Sequence, residues 1–286
     1  MRSHLVLLLA VCVASIVLSA VRCAHVAAPA DFEVVAEAVR GAYREGDLVV
    51  VVPFHQAVPR TLLGDLPLIE PRRVEPEMLR LHRRLLVIAV DAFGLGQLDD
   101  ELFALGEVAP LASHGRVSAS VVTVRDHVTP VFDLRRDLGA VRVAADYGGP
   151  EPVPCAQWSG ARWTCPRDPD WSYVGRVTLN LEDGPRACVW MHPLNGGREL
   201  SVTLPEVPGS SLLLGHGFVL SAQTRQPVQV EVRRGGEKLH DADAEPRTGW
   251  RTHTIPLDRG SGPVTLAVRT SDNAAAHFCV DVWVLP

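Results

Sequence analysis

Apolar residues at Phe32, Val35, Ala36, Val39 and Tyr43 recur at i, i+3, i+4, i+7 and i+11, which places them on one face of a helix. Asp31 stands at the N-cap position and Gly46 at the stop, so the pattern predicts an amphipathic helix between them. Leu48 to Val52 and Leu85 to Val90 are aliphatic runs without alternation, the mark of strands covered on both faces of a parallel sheet. A second helix fits Leu98 to Val108, where Leu98, Leu102 and Leu105 share a side and Asp99 and Asp100 sit in the first turn. Val117 to Val124 reads as a further strand, and residues 29–130 are expected to form a small α/β domain.

After about Pro130 the period changes. Short strand-like runs recur at Val174 to Leu181, Ala187 to His192, Leu200 to Leu204, Ser211 to Leu220, Val228 to Val232, Arg251 to Leu257, Val264 to Val268 and Phe278 to Leu285. Turn signals such as Asn195-Gly196-Gly197, Pro208-Gly209 and Gly235-Gly236 separate them, which predicts a sandwich or jelly roll over residues 131–286. In the last run Phe278, Val280, Val282 and Val284 take one face, leaving Cys279, Asp281 and Trp283 on the other. The expected fold is α/β plus all-β: a parallel-sheet α/β domain followed by a jelly-roll-like antiparallel β-sandwich, with an N-terminal membrane segment.

That segment is Leu5 to Val21, an apolar and small-residue run flanked by Arg22, so residues 1–28 read as a signal peptide or membrane anchor. The expected location is extracytoplasmic, in the periplasm or cell envelope, anchored through residues 5–21 or secreted if the segment is cut. Export makes the remaining cysteines a disulfide framework, and their spacing favours Cys155 with Cys165 and Cys188 with Cys279 over the other two pairings. None of the four falls in a C-x-x-C pair, so a zinc site is not expected. The net charge of -5 argues against nucleic acid, whose phosphates need a clustered basic face.

Chemistry is sparse. The strand-to-helix turn Pro53-Phe54-His55-Gln56 has no phosphate-cradling glycines, and Gly94-Leu95-Gly96 lacks the rest of a dinucleotide fingerprint. His55 and Asp91 each follow an aliphatic strand, where α/β proteins place ligands, yet no nucleophile elbow or carboxylate cluster accompanies them. The eleven histidines are scattered, and Asp241, Asp243 and Glu245 lack the glycine and further oxygens of a calcium loop. No catalytic residue, metal or cofactor is therefore expected. All six tryptophans lie in the second half. Trp158, Trp163 and Trp171 surround the Cys155 to Cys165 loop and read as its packing, whereas Trp190, Trp250 and Trp283 could offer indole platforms to sugar rings.

Two resemblances bear on this. Asp31 to Arg125, with "GDLVVVVP" and "RRLLVIAVDA", resembles the soluble extracytoplasmic domain of polytopic lipid-linked-sugar glycosyltransferases; the multi-helix core bearing that family's catalytic acids is absent, so no catalytic residue carries over. Ser210 to Pro286 is similar to galactose-binding-like jelly rolls, in particular NPCBM-type carbohydrate-binding modules, through "LLLGHGFVL", "VQVEVRRGGEKL" and "CVDVWVL". Asp281 and Trp283 match the terminal motif, and Gly215 and Gly217 the glycine strand. The resemblance implies the jelly-roll fold and picks out Asp281 and Trp283; together with the indole platforms of Trp190 and Trp250 they are the expected binding residues of a non-catalytic module for envelope glycan or polysaccharide. The alternatives are a part in envelope glycan transfer or assembly through Asp91 and His55, or a purely structural or protein-interaction role with the sandwich packed on the α/β domain.

Overall fold

The computed structural model describes residues 11–12, 15, 27–52, 57–71, 74–90, 96–166, 173–181, 184–219, 222–224, 226–246 and 249–286, without the side chains of 96–99 and 184. His55, Asp91, Trp171 and nearly all of the 5–21 segment lie outside these residues. Among the described residues no helix is long and apolar enough to cross a membrane.

The chain is mostly β, in one mixed sheet and two sandwich-like sheets. Helix α1 (Pro29–Ala42) leads into β1 (Leu48–Val52), α2 (Ala57–Leu63), β2 (Leu68–Ile69), α3 (Pro76–Leu79), β3 (Arg84–Val90), α4 (Gly96–Phe103), β4 (Gly106–His114) and β5 (Val117–Val124). The first sheet has the order β2-β1-β3-β5-β4. β1 pairs in parallel with β2 and β3, but β5 runs antiparallel to both β3 and β4, so the expected parallel sheet is mixed. The cause is the tight turn at Gly115, with φ of 54°, because so short a connection can join only antiparallel neighbours. The second helix also ends early: Val108 belongs to β4, not to the helix expected over Leu98 to Val108. A Cβ at Gly106 would lie 2.0 Å from the Thr123 carbonyl oxygen, so the glycine lets the chain close onto β5 there.

Both faces of β1 are buried, as its unbroken valine run requires. One face packs Val49 and Val51 under Phe32, Val35 and Val39 of α1. The other gathers Leu48, Val50, Val52, Leu85 and Val87 with Met78 and Leu79 of α3, Leu102 of α4, and with Leu213 and Trp283 from the β-rich half. The α/β sheet thus uses the sandwich as part of its cover.

The remaining strands are β6 (Phe132–Asp133), β7 (Arg142–Ala145), β8 (Val153–Pro154), β9 (Gln157–Trp158), β10 (Arg162–Thr164), β11 (Tyr173–Leu181), β12 (Gly184–Met191), β13 (Leu200–Thr203), β14 (Ser211–Phe218), β15 (Val228–Arg234), β16 (Glu237–Ala244), β17 (Arg251–Pro256), β18 (Val264–Arg269) and β19 (Phe278–Leu285). One sheet runs β17-β14-β19-β12-β11-β10-β9, with β6 also on β19; the other runs β16-β15-β18-β13-β7-β8. Inward-facing Val280, Val282, Leu212 and Leu214 of the first meet Val228, Val230, Leu266 and Val202 of the second in one core. Cys155–Cys165 closes a short loop and Cys188–Cys279 ties β12 to β19, the pairing expected from spacing.

Strand β19 has a divided neighbour. Its first half pairs with β12 at Val189↔Val280, and its second half pairs with β6 at Val284↔Phe132. The sheet forks there, and the segment leaving β6 enters the fork.

Candidate functional site

The four residues expected to bind, Trp190, Trp250, Asp281 and Trp283, share the outer face of the first sandwich sheet, but that face is covered. Their exposures are 9%, 2%, 2% and 3%. Trp283 is roofed by the α/β sheet. Trp250 lies flat on β14, where a Cβ at Gly215 would sit 2.3 Å from its ring, and the Arg186 guanidinium stacks over it at 4.6 Å. Two strand glycines at i, i+2 are thus a seat for an indole. Trp190 stacks on Tyr173 at 6.0 Å and touches the rings of His192 and His277. In this arrangement none of the three indoles offers an open face.

Asp281 sits in a cavity of about 80 Å³ between the α/β sheet and the sandwich, lined by Leu48, Ile69, Met78 and Trp283 with Arg135 and Arg186. Burial pushes its carboxyl up to about 7, outweighing the attraction of Arg135 and Arg186. Arg135 Nε stands 3.0 Å from Asp281 Oδ2, close enough for charge attraction, although both Arg135 Nε and Asp281 Oδ1 are buried without a well-directed hydrogen bond. With a folded pKa above the ordinary 3.8, this group stabilises the fold fully below pH 3.8, and the contribution is lost as pH rises towards 7. Buried His216 and His192, lowered to about 3 and about 4, act in the opposite sense and cost stability as pH falls below 6.5. Asp281→Asn is therefore expected to remove the loss between pH 4 and 7 while leaving the acid limb, as read by denaturant unfolding of both proteins across that range.

The fold also gathers three of the scattered histidines on the inner faces at one rim of the sandwich. His216 and His253 bring their Nε2 atoms to 3.1 Å, and His240 lies over His253 at 4.7 Å between ring centroids. At that distance the N–H of one neutral ring donates to the lone pair of the other. Among the described residues no group of three or more His, Cys, Asp or Glu side chains is arranged to hold a metal ion.

An open concavity lies at the sheet fork. Phe132 and Asp133 pair with β19, and the chain then folds back on itself: the backbone N–H groups of Arg135 and Arg136 donate to Asp133 Oδ1, and the Asp133 N–H donates to Asp137 Oδ2 at 3.0 Å. Across the fork, Arg176 of β11 donates from Nε to the Arg135 carbonyl and from Nη2 to the Arg136 carbonyl at 2.9 Å. The opening between these segments holds about 610 Å³, lined by Asp133, Arg135, Arg136, Arg176, Thr178 and Ala187. It continues past Arg136 and Arg176 into a further 490 Å³ lined by Asp137, Gly139 and Trp158. Trp158 is half-buried, with its ring 5.1 Å from that of Trp163 and 6.0 Å from the Arg176 guanidinium. Trp163 donates to the Leu138 carbonyl at 2.9 Å and so fixes the turn that carries Asp137 and Gly139.

No protein-family model and no curated protein matches the chain. Solved structures do. One is a family 51 carbohydrate-binding module from a Clostridium perfringens family 95 glycoside hydrolase in complex with methyl-galactose, at 17% identity and TM-score 0.27 over 39% of this chain and 79% of that one. The structural neighbours are carbohydrate-binding modules. A family 36 module of a multidomain xylanase from the hindgut metagenome of Trinervitermes trinervoides aligns at 14% identity and TM-score 0.27, over 51% of this chain and 96% of that one. The second family 51 module with its adjoining domain, from Clostridium perfringens ZmpB, aligns at 13% identity and TM-score 0.31, covering 62% of this chain but only 36% of that one. At such scores no site is transferred, and the groove rests on its own residues.

Arg135, Arg136 and Arg176 do not stand out in the sequence as binding residues, and Trp158 reads there as cover for its disulfide loop. A signal for the first two exists: "DLRRD" sets an arginine pair between two aspartates in a segment too short for regular structure.

Proposed function

We propose that the chain is an exported, non-catalytic glycan-binding module, held at the cell envelope by its N-terminal apolar segment, whose jelly-roll-like sandwich binds sugar in the groove at the sheet fork. The observation that carries this reading is the open groove itself, which sets a half-buried indole, Trp158, beside the fixed Arg176 guanidinium in one lobe, with the Thr178 hydroxyl in the adjoining one. A pyranose stacks its C–H face on indole while charged donors and hydroxyls hold its oxygens. Two disulfides suit an oxidising compartment outside the cytoplasm. The residues expected to bind, Trp190, Trp250, Asp281 and Trp283, are buried and line neither lobe of the groove.

Truncating a central aromatic anchor removes most of the binding energy of a small site, so Trp158→Ala is expected to weaken binding of envelope polysaccharide at least about 10-fold. Calorimetric titration of both proteins, with circular dichroism to confirm the fold, checks this. Unchanged affinity in the variant would remove the groove from the account. Burial of Trp190, Trp250 and Trp283 is also what a purely structural module would show, and that reading predicts no heat of binding with any polysaccharide.

A further inference from the structure

We infer that the groove selects glycans carrying oxyanion substituents, such as uronate carboxylates or sulfate esters, over neutral ones; the inference rests on the glycan-binding reading above. The chain as a whole is acidic, with a net charge of -5, yet three arginines converge on this one opening. How their charges are held is what matters. Arg176 spends Nε and Nη2 on the carbonyls of Arg135 and Arg136, and Nη1 has no hydrogen-bond partner among the described residues. Carbonyl groups carry no charge, so they fix the guanidinium in place without neutralising it. The cation is therefore preorganised and makes no ion pair among the described residues, Asp137 acting on it only by longer-range attraction, at the point shared by both lobes of the groove and 6.0 Å from the Trp158 ring.

The carboxylates nearby are committed elsewhere. Asp137 pairs with Arg136 along one guanidinium edge, accepting from Nε at 2.9 Å and from Nη2 at 2.8 Å. Asp133 Oδ1 accepts two backbone N–H groups, and Asp281 is sealed in the cavity behind Arg135. A sugar ring seated on Trp158 would thus bring an acidic substituent to the free edge of Arg176, where a guanidinium binds carboxylate or sulfate as a two-pronged donor. Arg136 is the adjustable member of the set, because a ligand anion must compete with Asp137 for it.

The test titrates the full chain with polygalacturonate, dextran sulfate and neutral dextran at about 50 and 500 mM salt, where screening lengths differ severalfold. Both anionic polymers are expected to bind at least about 10-fold more tightly than dextran at low salt and to weaken at high salt. Asp137→Asn, which frees Arg136, should tighten anionic binding about threefold, and Arg136→Gln should weaken it by a similar factor. Lys238→Gln, on the outermost strand of the other sheet, should change neither. Preference between uronate and sulfate identifies the substituent. Equal binding of dextran, or anionic binding indifferent to Asp137→Asn and Arg136→Gln, overturns the charge selectivity while leaving glycan binding intact; no binding of any polymer, with the neutral and acidic envelope polysaccharides also silent, overturns both.

Discussion

Replacing Trp283 with alanine is expected to lower stability by about 3–5 kcal/mol, the cost of emptying a packed aromatic site. The indole is 3% exposed and lies where the outer face of β19 meets the α/β sheet, in one cluster with Leu213, Leu48, Val50, Leu85 and Val87. Its loss opens a void between the two halves of the molecule, not a gap in an accessible platform. Chemical denaturation read by far-ultraviolet circular dichroism checks the value. A loss under about 0.5 kcal/mol is what an exposed tryptophan gives, and it would contradict the docking of the sandwich on the α/β sheet. Because Trp283 lines neither lobe of the groove, the folded fraction of the variant is expected to retain polysaccharide binding.

Removing the Cys188–Cys279 disulfide by paired alanine substitution should cost about 4–5 kcal/mol, against about 2–3 kcal/mol for Cys155–Cys165. The difference follows from the unfolded chain. The first bond spans a separation of 91 residues and the second 10, and a longer closed loop removes more freedom from the denatured ensemble. The 188–279 pair also sits in a satellite cluster with Trp190, Trp250, Leu181 and Val219, so its loss loosens the aromatic cover of the sheet. Equilibrium unfolding of the two alanine pairs gives the comparison directly, and equal costs would show that chain entropy is not the governing term.

Much of the architecture was legible because periodicity reports burial. Val117–Val124 and Phe278–Leu285 fall where their patterns put them, and the alternation of β19 does send Phe278, Val280, Val282 and Val284 into the sandwich core. Periodicity says which residues share a face, however, not what covers that face. The face of Cys279, Asp281 and Trp283 looked like a platform because nothing local to it encodes the arrival of Leu48, Val50 and Met78 from a distant stretch of chain. Strand β16 is hard to read for a related reason. Its "HDADA" alternation reads as an acidic edge until Ala242 and Ala244 are seen opposite Val230 and Val228, where small residues fill the rim of the core. The strands of two to four residues between Arg142 and Thr164 carry too few positions to show any period.

The groove was illegible on different grounds. The Arg135–Arg136 pair, Trp158 and Arg176 belong to separate short elements and meet at the fork where β19 is shared between β12 and β6. A single Asx-type turn at Asp133 then aims the arginine pair across the fork. Nothing in composition predicts that convergence.

The most direct measurement of the central claim is hydrogen–deuterium exchange of the full chain with and without a saturating acidic polysaccharide. The groove predicts slowed exchange in two places, the segment from Asp133 to Ala140 and the part of β11 around Arg176 to Thr178, together with Trp158 and its neighbours. Protection confined instead to the strands beneath Trp190 and Trp250, with residues 133–140 unchanged, would contradict it and return the binding face to the tryptophans that this structure buries.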